Sequence, residues 1–296
     1  METPSCLICG NARLIDLQEL DSKLFVDHWK NYYGIDVSKF FSTRFFYLKK
    51  CPECSLEFFS PSIPADTKIY DQLQESDWYY ESDKDEFFHA IDTIIKLKDI
   101  KSVLDVGCGE GLFLKKLLSS YEVAGMEISE KSIEKLIRNN IETKTIGKKF
   151  DFVTAFQVLE HISDPKVFIE NILSKLNCGG YLFISVPNPD SVFVKETMAF
   201  LDYPPHHITR WSKDTFDYIA QKYGLEIKEY YLEPLRLEHY NAVINERRNK
   251  IIKSKLIKNK LVEKIFAFFD KIILPYTIDH VKYSGHSHGV LYKSKS

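Results

Sequence analysis

The chain has no long apolar segment and almost no net charge. No run of about 18 or more uncharged apolar residues occurs, so the sequence predicts no membrane-spanning helix. The first residues, METPSCLICG, lack the basic stretch and apolar run of a secretion signal. Lys and Arg total 40 against 42 Asp and Glu, so no overall field attracts nucleic acid. We therefore expect a cytoplasmic protein without disulfide bonds and without a nucleic-acid partner.

Repeats and low-complexity tracts are also absent, and the composition is that of a globular protein. Apolar residues make up 44% of the 296 residues and charged residues 28%, which is enough for a sizeable core. The pattern of breakers and periodicities predicts four segments. These are a metal-binding module at 1–60, a helical bridge at 61–98, an α/β core at 99–240, and a basic helical insertion with a last strand at 241–296.

The six cysteines are unevenly spaced. Four of them form two C-x-x-C pairs, Cys6 with Cys9 and Cys51 with Cys54. In a reducing compartment such pairs indicate a metal site, and four thiolates suffice for a closed tetrahedral zinc. We predict one structural zinc, with a helix near Leu20–Tyr33 and short strands at 45–48 and 56–59 between and beside the pairs. Cys108 and Cys178 are interpreted as core or turn residues.

From Lys101 onward, strand and helix patterns alternate. Strands are predicted at 103–106, 123–128, 150–156, 181–186, 225–231 and 289–292. A helix is predicted at 112–121, and Ser129, Asp164 and Ser212 are the caps of three more. This alternation predicts a doubly wound α/β fold, a mostly parallel, seven-stranded, Rossmann-like sheet with helices on both faces.

A glycine-rich turn follows the first of these strands. The run VLDVGCGEG at 103–111 places Gly107, Gly109 and Gly111 between a buried strand and a helix. Such a turn brings backbone close to a ligand and presents a helix N-terminus to an anion. Glu127 ends the second strand, where a carboxylate accepts hydrogen bonds from ribose hydroxyls. A dinucleotide site shares these features, but the spacing here is G-x-G-x-G after Asp105.

Together these segments resemble the ordered motifs of class I methyltransferases that use S-adenosylmethionine (SAM). The resemblance covers residues 85–235 and is carried by 104–111, Glu127, 150–153 and 158–161. It implies that the turn holds the methionine end of SAM, that Glu127 binds the ribose and that Phe156-Gln157 pass beside the sulfonium. The implied cofactor-binding residues are Asp105, Gly107, Cys108, Gly109, Gly111, Glu127, Ile128, Phe156 and Gln157. The stretch 141–149 lacks an acid for the adenine amino group, so backbone contacts are expected there.

Two segments are candidates for the acceptor side. Glu160-His161 lies where, in the ubiquinone-biosynthesis O-methyltransferases that this region resembles, two acids and a histidine hold a divalent metal. Gln157 occupies the first of those places, which weakens the case for the metal. The alternative for Glu160 and His161 is that they cap the following helix.

The second segment is PPHHITRWS at 204–212, which resembles a proline-histidine-histidine segment of the same superfamily. His206 and His207 titrate near neutral pH and suit general-base catalysis on a hydroxyl. The alternative is that one histidine packs against, or caps, the helix that begins at Ser212.

The two ends of the chain have further implications. The C-x-x-C layout resembles the N-terminal zinc module of methyltransferases in sugar and cell-surface polysaccharide pathways. Residues 244–264 hold eight Lys or Arg and two Glu, with an apolar stripe that continues to 273. Such a helix contacts an anionic membrane surface, or forms a lid or a homodimer contact. We favour the lid or packing role.

The leading hypothesis is a SAM-dependent O-methyltransferase that acts on a small molecule, most simply a sugar or glycan precursor. A second hypothesis is methylation of a polyprenyl phenol in quinone synthesis, in which the basic helix meets a lipid-linked acceptor. A third, of a different class, is a nucleic-acid-binding protein built on the zinc ribbon. The near-neutral charge and the absence of an aromatic-basic strand motif argue against it.

Overall fold

The computed structural model describes residues 4–76, 79, 82–197, 199–253 and 284–295. Ten strands are present there: β1 Ile15–Asp21, β2 Phe45–Lys50, β3 Glu57–Ser60, β4 Ser102–Val106, β5 Glu122–Met126, β6 Phe150–Phe156, β7 Leu176–Pro187, β8 Thr209–Arg210, β9 Glu226–Leu232 and β10 Ser287–Lys293. Nine α-helices are described: α1 Ser22–His28, α2 Thr67–Leu73, α3 Asp85–Leu97, α4 Leu112–Leu117, α5 Glu130–Arg138, α6 Pro165–Ser174, α7 Val192–Thr197, α8 Lys213–Tyr223 and α9 Leu237–Lys253.

The larger sheet has the strand order β5-β4-β6-β7-β10-β9. Strands β5, β4, β6 and β7 are parallel, and β10 runs antiparallel to both β7 and β9. The predicted Rossmann-like fold is confirmed, but the prediction of seven strands is wrong for the described residues, which contain six. The stretch between α5 and β6 forms only an isolated bridge, from Glu142 to Ala124, because its polar residues give it no second buried face.

Helices cover both faces of this sheet. On one face α3, α4 and α5 bury Phe87, Leu114 and Leu136 against the strands. On the other face α6 and α8 bury Ile169 and Ile219. Because both faces are covered, the central strands are mostly apolar, and their carboxyl ends form an edge where a ligand can bind.

The predicted helix caps are all present. The side chain of Ser129 accepts the Ser132 amide, Asp164 accepts that of Val167, and Ser212 accepts that of Thr215. These caps supply hydrogen-bond acceptors to backbone N–H groups in the first turn of α5, α6 and α8, which have no acceptor within the helix.

The smaller sheet joins the N-terminal region to the core. Its order is β1-β2-β3-β8, all antiparallel, and β8 comes from the segment that follows His207. The helix predicted at Leu20–Tyr33 starts later and is shorter. Asp21 ends β1 and caps α1 by accepting the Lys23 amide, and a π-helical turn at Trp29–Tyr33 follows α1.

Two further sequence predictions concern the chain beyond β9. None of the described helices is both long and apolar enough to cross a membrane. The basic stretch at 244–273 begins within α9, and its part from 254 lies outside the described residues. Its predicted roles stay predictions.

Candidate active site

The glycine-rich turn links β4 to α4 at the carboxyl edge of the sheet. Gly107, Gly109 and Gly111 have φ values of 73°, 50° and 74°, which L residues with a Cβ rarely adopt. A Cβ on Gly107 would lie 2.5 Å from a methyl carbon of Val158. The turn therefore has this shape because each of the three positions carries glycine.

Glu127 holds the turn against the next strand. It lies one residue beyond β5, and its Oε2 accepts the Gly109 amide at 2.8 Å. Its Oε1 accepts the amides of Ile128 and Ser129 at 2.7 and 3.0 Å. The carboxylate is thus fixed at the rim of a cavity. The Ile128 side chain beside it also lines the cavity and is 78% exposed. It is therefore accessible for an apolar contact with a ligand.

Asp105 lines the same cavity from beneath the turn. It is 3% exposed, and its Oδ1 accepts a hydrogen bond from the Thr154 hydroxyl at 2.7 Å. Burial raises the pKa of Asp105 to about 8, and the charges of Glu127 and Glu86 add to the rise, although the Thr154 hydroxyl and Lys84 oppose it. A cationic group that faced this carboxyl would restore its charged form.

Phe156 and Gln157 follow at the end of β6, and both line the cavity. Phe156 is packed between Phe87 and Phe113, with both ring centroids 4.9 Å away. Gln157 has φ 55°, and its amide nitrogen donates to Glu86 at 2.9 Å and to Ser287 at 3.2 Å. The Gln157 side chain is therefore engaged away from Glu160 and His161.

One continuous cavity of about 1220 Å³ connects these residues with the candidate acceptor residues. Pockets for single small ligands usually measure about 300 to 1,000 Å³. This volume accommodates a cofactor and a second molecule side by side. We name its two ends the cofactor half, residues 105–112 with 127–128, and the acceptor half, residues 160–161, 199–207 and 286–287.

The acceptor half is assembled from separate parts of the chain. Glu160 and His161 lie in a 3₁₀ turn after β6, and the Ile208 amide donates to the Glu160 carbonyl at 2.8 Å. The Phe59 amide of β3 in turn donates to the Ile208 carbonyl at 3.0 Å. The histidine pair is thus held between the main sheet and the small N-terminal sheet.

His161, His206 and His207 form one group, which we name the histidine cluster; His206 and His207 are buried and His161 is partly exposed. Their ring centroids lie 4.5 to 4.7 Å apart in all three pairs. A ring nitrogen from each lies within 4.8 Å of one from every other. The four predicted catalytic candidates, these three and Glu160, are therefore brought together by the fold.

Each histidine of the cluster has its Nδ1 occupied by an acceptor. His161 Nδ1 donates to the His206 carbonyl at 2.6 Å, and His206 Nδ1 donates to the Leu201 carbonyl at 3.0 Å. His207 Nδ1 faces Asp202 Oδ1 at 3.2 Å. Because Nδ1 carries the proton in each ring, each Nε2 keeps a lone pair, and that of His206 meets the Tyr79 hydroxyl at 3.3 Å.

Burial controls the charge of this group. It lowers the pKa of His161 to about 3 with help from His207, and it lowers the pKa of His206 well below its usual value. It also lowers the pKa of His207. Burial raises the pKa of Glu160 to about 8, since neither carboxyl oxygen has a hydrogen-bond partner. The prediction that His206 and His207 titrate near neutral pH is therefore wrong, because burial keeps these imidazoles neutral at that pH.

Asp202 and His286 complete the acceptor half. Asp202 Oδ1 lies 3.1 Å from His286 Nε2 as well as 3.2 Å from His207. Although burial alone would raise the pKa of Asp202, His286 and His207 hold it far below the usual range. Burial alone would lower the pKa of His286, but the charge of Asp202 raises it to about 9. Asp202–His286 is thus an ion pair that orients His207.

The alternative roles considered for these residues are wrong where they concern capping. Asp164, not Glu160 or His161, caps α6, and Ser212 itself caps α8. Sequence reasoning missed Asp202 and His286. The run FLDYPPHH places an acid shortly before the histidine pair, which is a usable signal. His286 precedes β10 and is more than 75 residues from the pair, so only the tertiary structure brings it near.

The four predicted zinc ligands also converge. Cys6 Sγ lies 3.3 Å from Cys54 Sγ, and Cys9 Sγ lies 3.4 Å from Cys51 Sγ. Around a tetrahedral zinc with bonds of about 2.3 Å, thiolates lie about 3.8 Å apart, so this donor set fits the metal. The cluster packs in the same core as α8, and Lys222 donates to the Ile8 carbonyl at 2.7 Å.

The sequence profile of a family described as a methyltransferase domain matches residues 79–230, just over half of the chain. The cysteine cluster lies outside that match. The chain is similar to Ubiquinone biosynthesis O-methyltransferase of Coxiella burnetii, at 28% identity over 167 residues, which cover 48% of this chain and 70% of the relative. It is similar to the protein of that name from Hydrogenovibrio crunogenus, at 27% identity over 201 residues, which cover 56% and 81%.

Among solved structures, the fold is similar to a SAM-dependent methyltransferase from Archaeoglobus fulgidus. The TM-score is 0.47 and the sequence identity 19%, and the match covers 70% of this chain and 92% of the other.

Proposed function

Because the chain belongs to the methyltransferase-domain family and is a SAM-dependent methyltransferase, we propose that it methylates a hydroxyl group of a polar small molecule. The acceptor class that we favour is a sugar or glycan precursor. The observation that carries this proposal is the acceptor half of the cavity. It presents buried histidines and carboxyl groups beside the turn that holds the cofactor.

The cofactor half fits SAM on its own features. The buried Asp105 lines the cavity and has a raised pKa, and the ammonium group of SAM would favour its charged form. Glu127 is fixed at the rim, where a ribose can reach its free lone pairs, and Ile128 offers an exposed apolar side chain to the adenine. When bound, SAM supplies an activated methyl group on its sulfonium. The residues of the chain position the acceptor and move its proton.

Removal of the hydroxyl proton is assigned to the histidine cluster, and first to His207. Its Nδ1 is held by Asp202, so its Nε2 keeps the lone pair that accepts a proton. His206 lies stacked on His207, with ring centroids 4.5 Å apart. We assign to His206 the role of positioning His207. Glu160 and His161 are the alternative candidates for the base.

A sugar acceptor accounts for the polar lining. Glu160, Asp202, Glu233 and Arg236 all reach the acceptor end of the cavity, where hydroxyl groups pair with them. A second candidate acceptor is a polyprenyl phenol, which the names of the relatives from Coxiella and Hydrogenovibrio favour. A prenyl tail requires an apolar path out of this cavity, whereas the histidines and acids of the acceptor half suit a polar acceptor.

We also propose that the cysteine cluster holds one structural zinc. Four thiolates close the coordination sphere, so the zinc leaves no position for a substrate. Its place in the core next to α8, and the β3–β8 pairing, support a role in holding the segment that carries His206 and His207.

The test of the proposed function begins with a thermal-shift measurement with SAM. The protein is then incubated with SAM and a panel of nucleotide sugars, and each product is examined by mass spectrometry for the gain of one CH₂ group. A panel of polyprenyl phenols is run in parallel. Methylation of the phenols alone would replace the sugar proposal. A failure of SAM to stabilise the protein would contradict the cofactor assignment.

A further inference from the structure

We propose that Glu160 and His161 recognise a protonated amino group on the carbon next to the hydroxyl that is methylated. The acceptor is then a vicinal amino alcohol, and His207 keeps its role as the base. This inference rests on the proposed function, because it narrows the acceptor class at the same site. It concerns the reacting end of the acceptor and not the rest of that molecule.

The first support is the Glu160 carboxyl group. Glu160 lines the acceptor half of the cavity, yet it is 1% exposed and both of its oxygens are buried without a hydrogen-bond partner. A buried carboxyl group without donors is costly. No donor from the described part of the chain reaches these oxygens, so they are left to N–H or O–H donors of a ligand.

The second support is the position of two ring nitrogens beside that carboxyl group. Glu160 Oε1 lies 3.8 Å from His161 Nε2 and 3.9 Å from His207 Nε2. Both nitrogens carry lone pairs, because Nδ1 of each ring holds the proton. Three acceptor atoms therefore converge at separations that are too long for direct hydrogen bonds between them.

A pair of vicinal substituents fits two of these atoms. Staggered substituents on neighbouring ring carbons lie about 2.9 Å apart, and each hydrogen bond measures about 2.8 Å. Glu160 Oε1 and His207 Nε2, which are 3.9 Å apart, are therefore reached by two nearly parallel hydrogen bonds. The hydroxyl that donates to His207 loses its proton there, and the neighbouring substituent donates to Glu160.

The number of donors distinguishes an amino group from a second hydroxyl at the neighbouring position. The substituent there faces both Glu160 Oε1 and His161 Nε2, which lie 3.8 Å apart. A hydroxyl donates one hydrogen and satisfies one of these atoms, whereas an ammonium group has three N–H donors and satisfies both. The ammonium group also brings the positive charge that a buried carboxylate requires.

The charge of the cavity favours the same substituent. In the described part of the chain nine Asp or Glu residues line it, against Lys84 and Arg236 as the lysine and arginine residues. Lys84 Nζ lies 3.9 Å from Glu86 Oε1, Arg236 Nε lies 2.7 Å from Asp85 Oδ2, and the cationic His286 is held in its ion pair. SAM adds a net charge of only about +1 near neutral pH. The lining therefore attracts a cationic acceptor group and repels an anionic one.

The test measures the binding of two matched probes to the full chain without turnover. The probes are trans-2-aminocyclohexanol and trans-1,2-cyclohexanediol, which differ in a single substituent. Titrations at pH 7 with S-adenosylhomocysteine bound, followed by the NMR signals of the probe, give both dissociation constants. The amino alcohol should bind about 10- to 100-fold more tightly, because its ammonium group makes charge-assisted hydrogen bonds.

Variants assign this preference to the two residues. Glu160→Gln keeps the shape of the side chain and removes its charge, so it should abolish the preference for the amino alcohol. His161→Gln should reduce the preference by a smaller factor. His288→Gln is the matched control, because His288 is also buried but bonds the Trp211 carbonyl outside the cluster, and it should keep the wild-type preference. A thermal shift with SAM checks that each variant is folded.

Three results would overturn the proposal. These are no binding of the amino alcohol to the wild type, binding of the diol that is equally tight or tighter, and the full preference in folded Glu160→Gln. None of them affects the proposed function, which is read from the mass gain of the products. Methylation only of sugars that lack a neighbouring amino group would leave that function standing and remove this inference.

Discussion

The two halves of the cavity are built in opposite ways. The cofactor half lies within one stretch of 24 residues, Asp105 to Ile128, in which the Glu127 carboxylate accepts the backbone amides of Gly109 and Ile128. The acceptor half comes from three distant segments that contribute buried histidines and acids. The first is a feature of one β-α-β unit, and the second exists only when the sheet, the small sheet and β10 have come together.

This difference separates the expected effects of substitutions. Changes in the cofactor half should alter SAM affinity, because that half contains no group that moves the acceptor proton. Changes in the acceptor half should alter turnover and acceptor binding, because it makes no contact assigned to SAM. A single substitution that changes both SAM affinity and turnover would show that the two halves act as one functional unit.

The largest effect is expected for the histidine pair. His207→Ala or His206→Ala should lower turnover about 10²- to 10⁴-fold, the usual range for lost proton-transfer assistance, while SAM affinity stays nearly unchanged. Steady-state kinetics with calorimetry of SAM binding measures both. His288→Ala controls for removal of a buried imidazole. If both variants keep full turnover and His161→Ala loses it, the role of the base belongs to Glu160 and His161 instead.

The mirror experiment is Glu127→Ala in the cofactor half. Loss of two charge-assisted hydrogen bonds to the ribose should weaken SAM binding by roughly 2–4 kcal/mol. Turnover at saturating SAM should change much less. Glu134→Ala is the control, because Glu134 lies exposed on α5 and pairs only with Arg138 at the surface. Unchanged SAM affinity in Glu127→Ala would remove Glu127 from the cofactor site.

A pH effect on SAM affinity should arise in the cofactor half. Burial raises the pKa of Asp105 to about 8, so the free protein carries this group mostly protonated at pH 7. The SAM ammonium favours the carboxylate and lowers the pKa in the complex. Binding therefore releases a proton, and SAM affinity rises with pH up to about 8, by at most about tenfold per unit.

Calorimetry at pH 7 in two buffers of different ionisation enthalpy detects that proton. The apparent enthalpies should differ for the wild type and coincide for Asp105→Asn. Equal enthalpies for the wild type would mean that Asp105 does not change its protonation when SAM binds.

The smallest effect on catalysis is expected from the cysteine cluster. Cys51→Ser should reduce zinc from about one per chain to none. It should raise the acceptor KM severalfold without altering SAM affinity, because β3 pairs with β8 directly after His207. Cys178→Ser is the control, since Cys178 is exposed and far from the cluster. Zinc-free wild-type protein, purified without chelator, would contradict the assignment.

Local features of the fold were predictable from the sequence. The caps at Ser129, Asp164 and Ser212 each depend on a side chain that bonds within three residues of itself. The glycine turn and Glu127 are separated by a single helix and strand. The absence of a seventh strand from the described residues was not predictable in this way, because strand formation at Glu142 depends on a partner edge and on a face to bury.

The sequence by itself determined the α/β core, the methyltransferase motifs and the pairing of the two C-x-x-C knuckles, since spacing and periodicity act over short distances. It also supplied Glu160, His161, His206 and His207 as separate candidates. Only the tertiary structure decided that they form one cluster, that Asp202 and His286 orient His207, and that β8 ties the pair to the N-terminal sheet. Apart from the local contact between Asp202 and His207, those contacts join segments that are distant in the sequence, and burial, which sets the charge of these histidines, arises only when the segments pack.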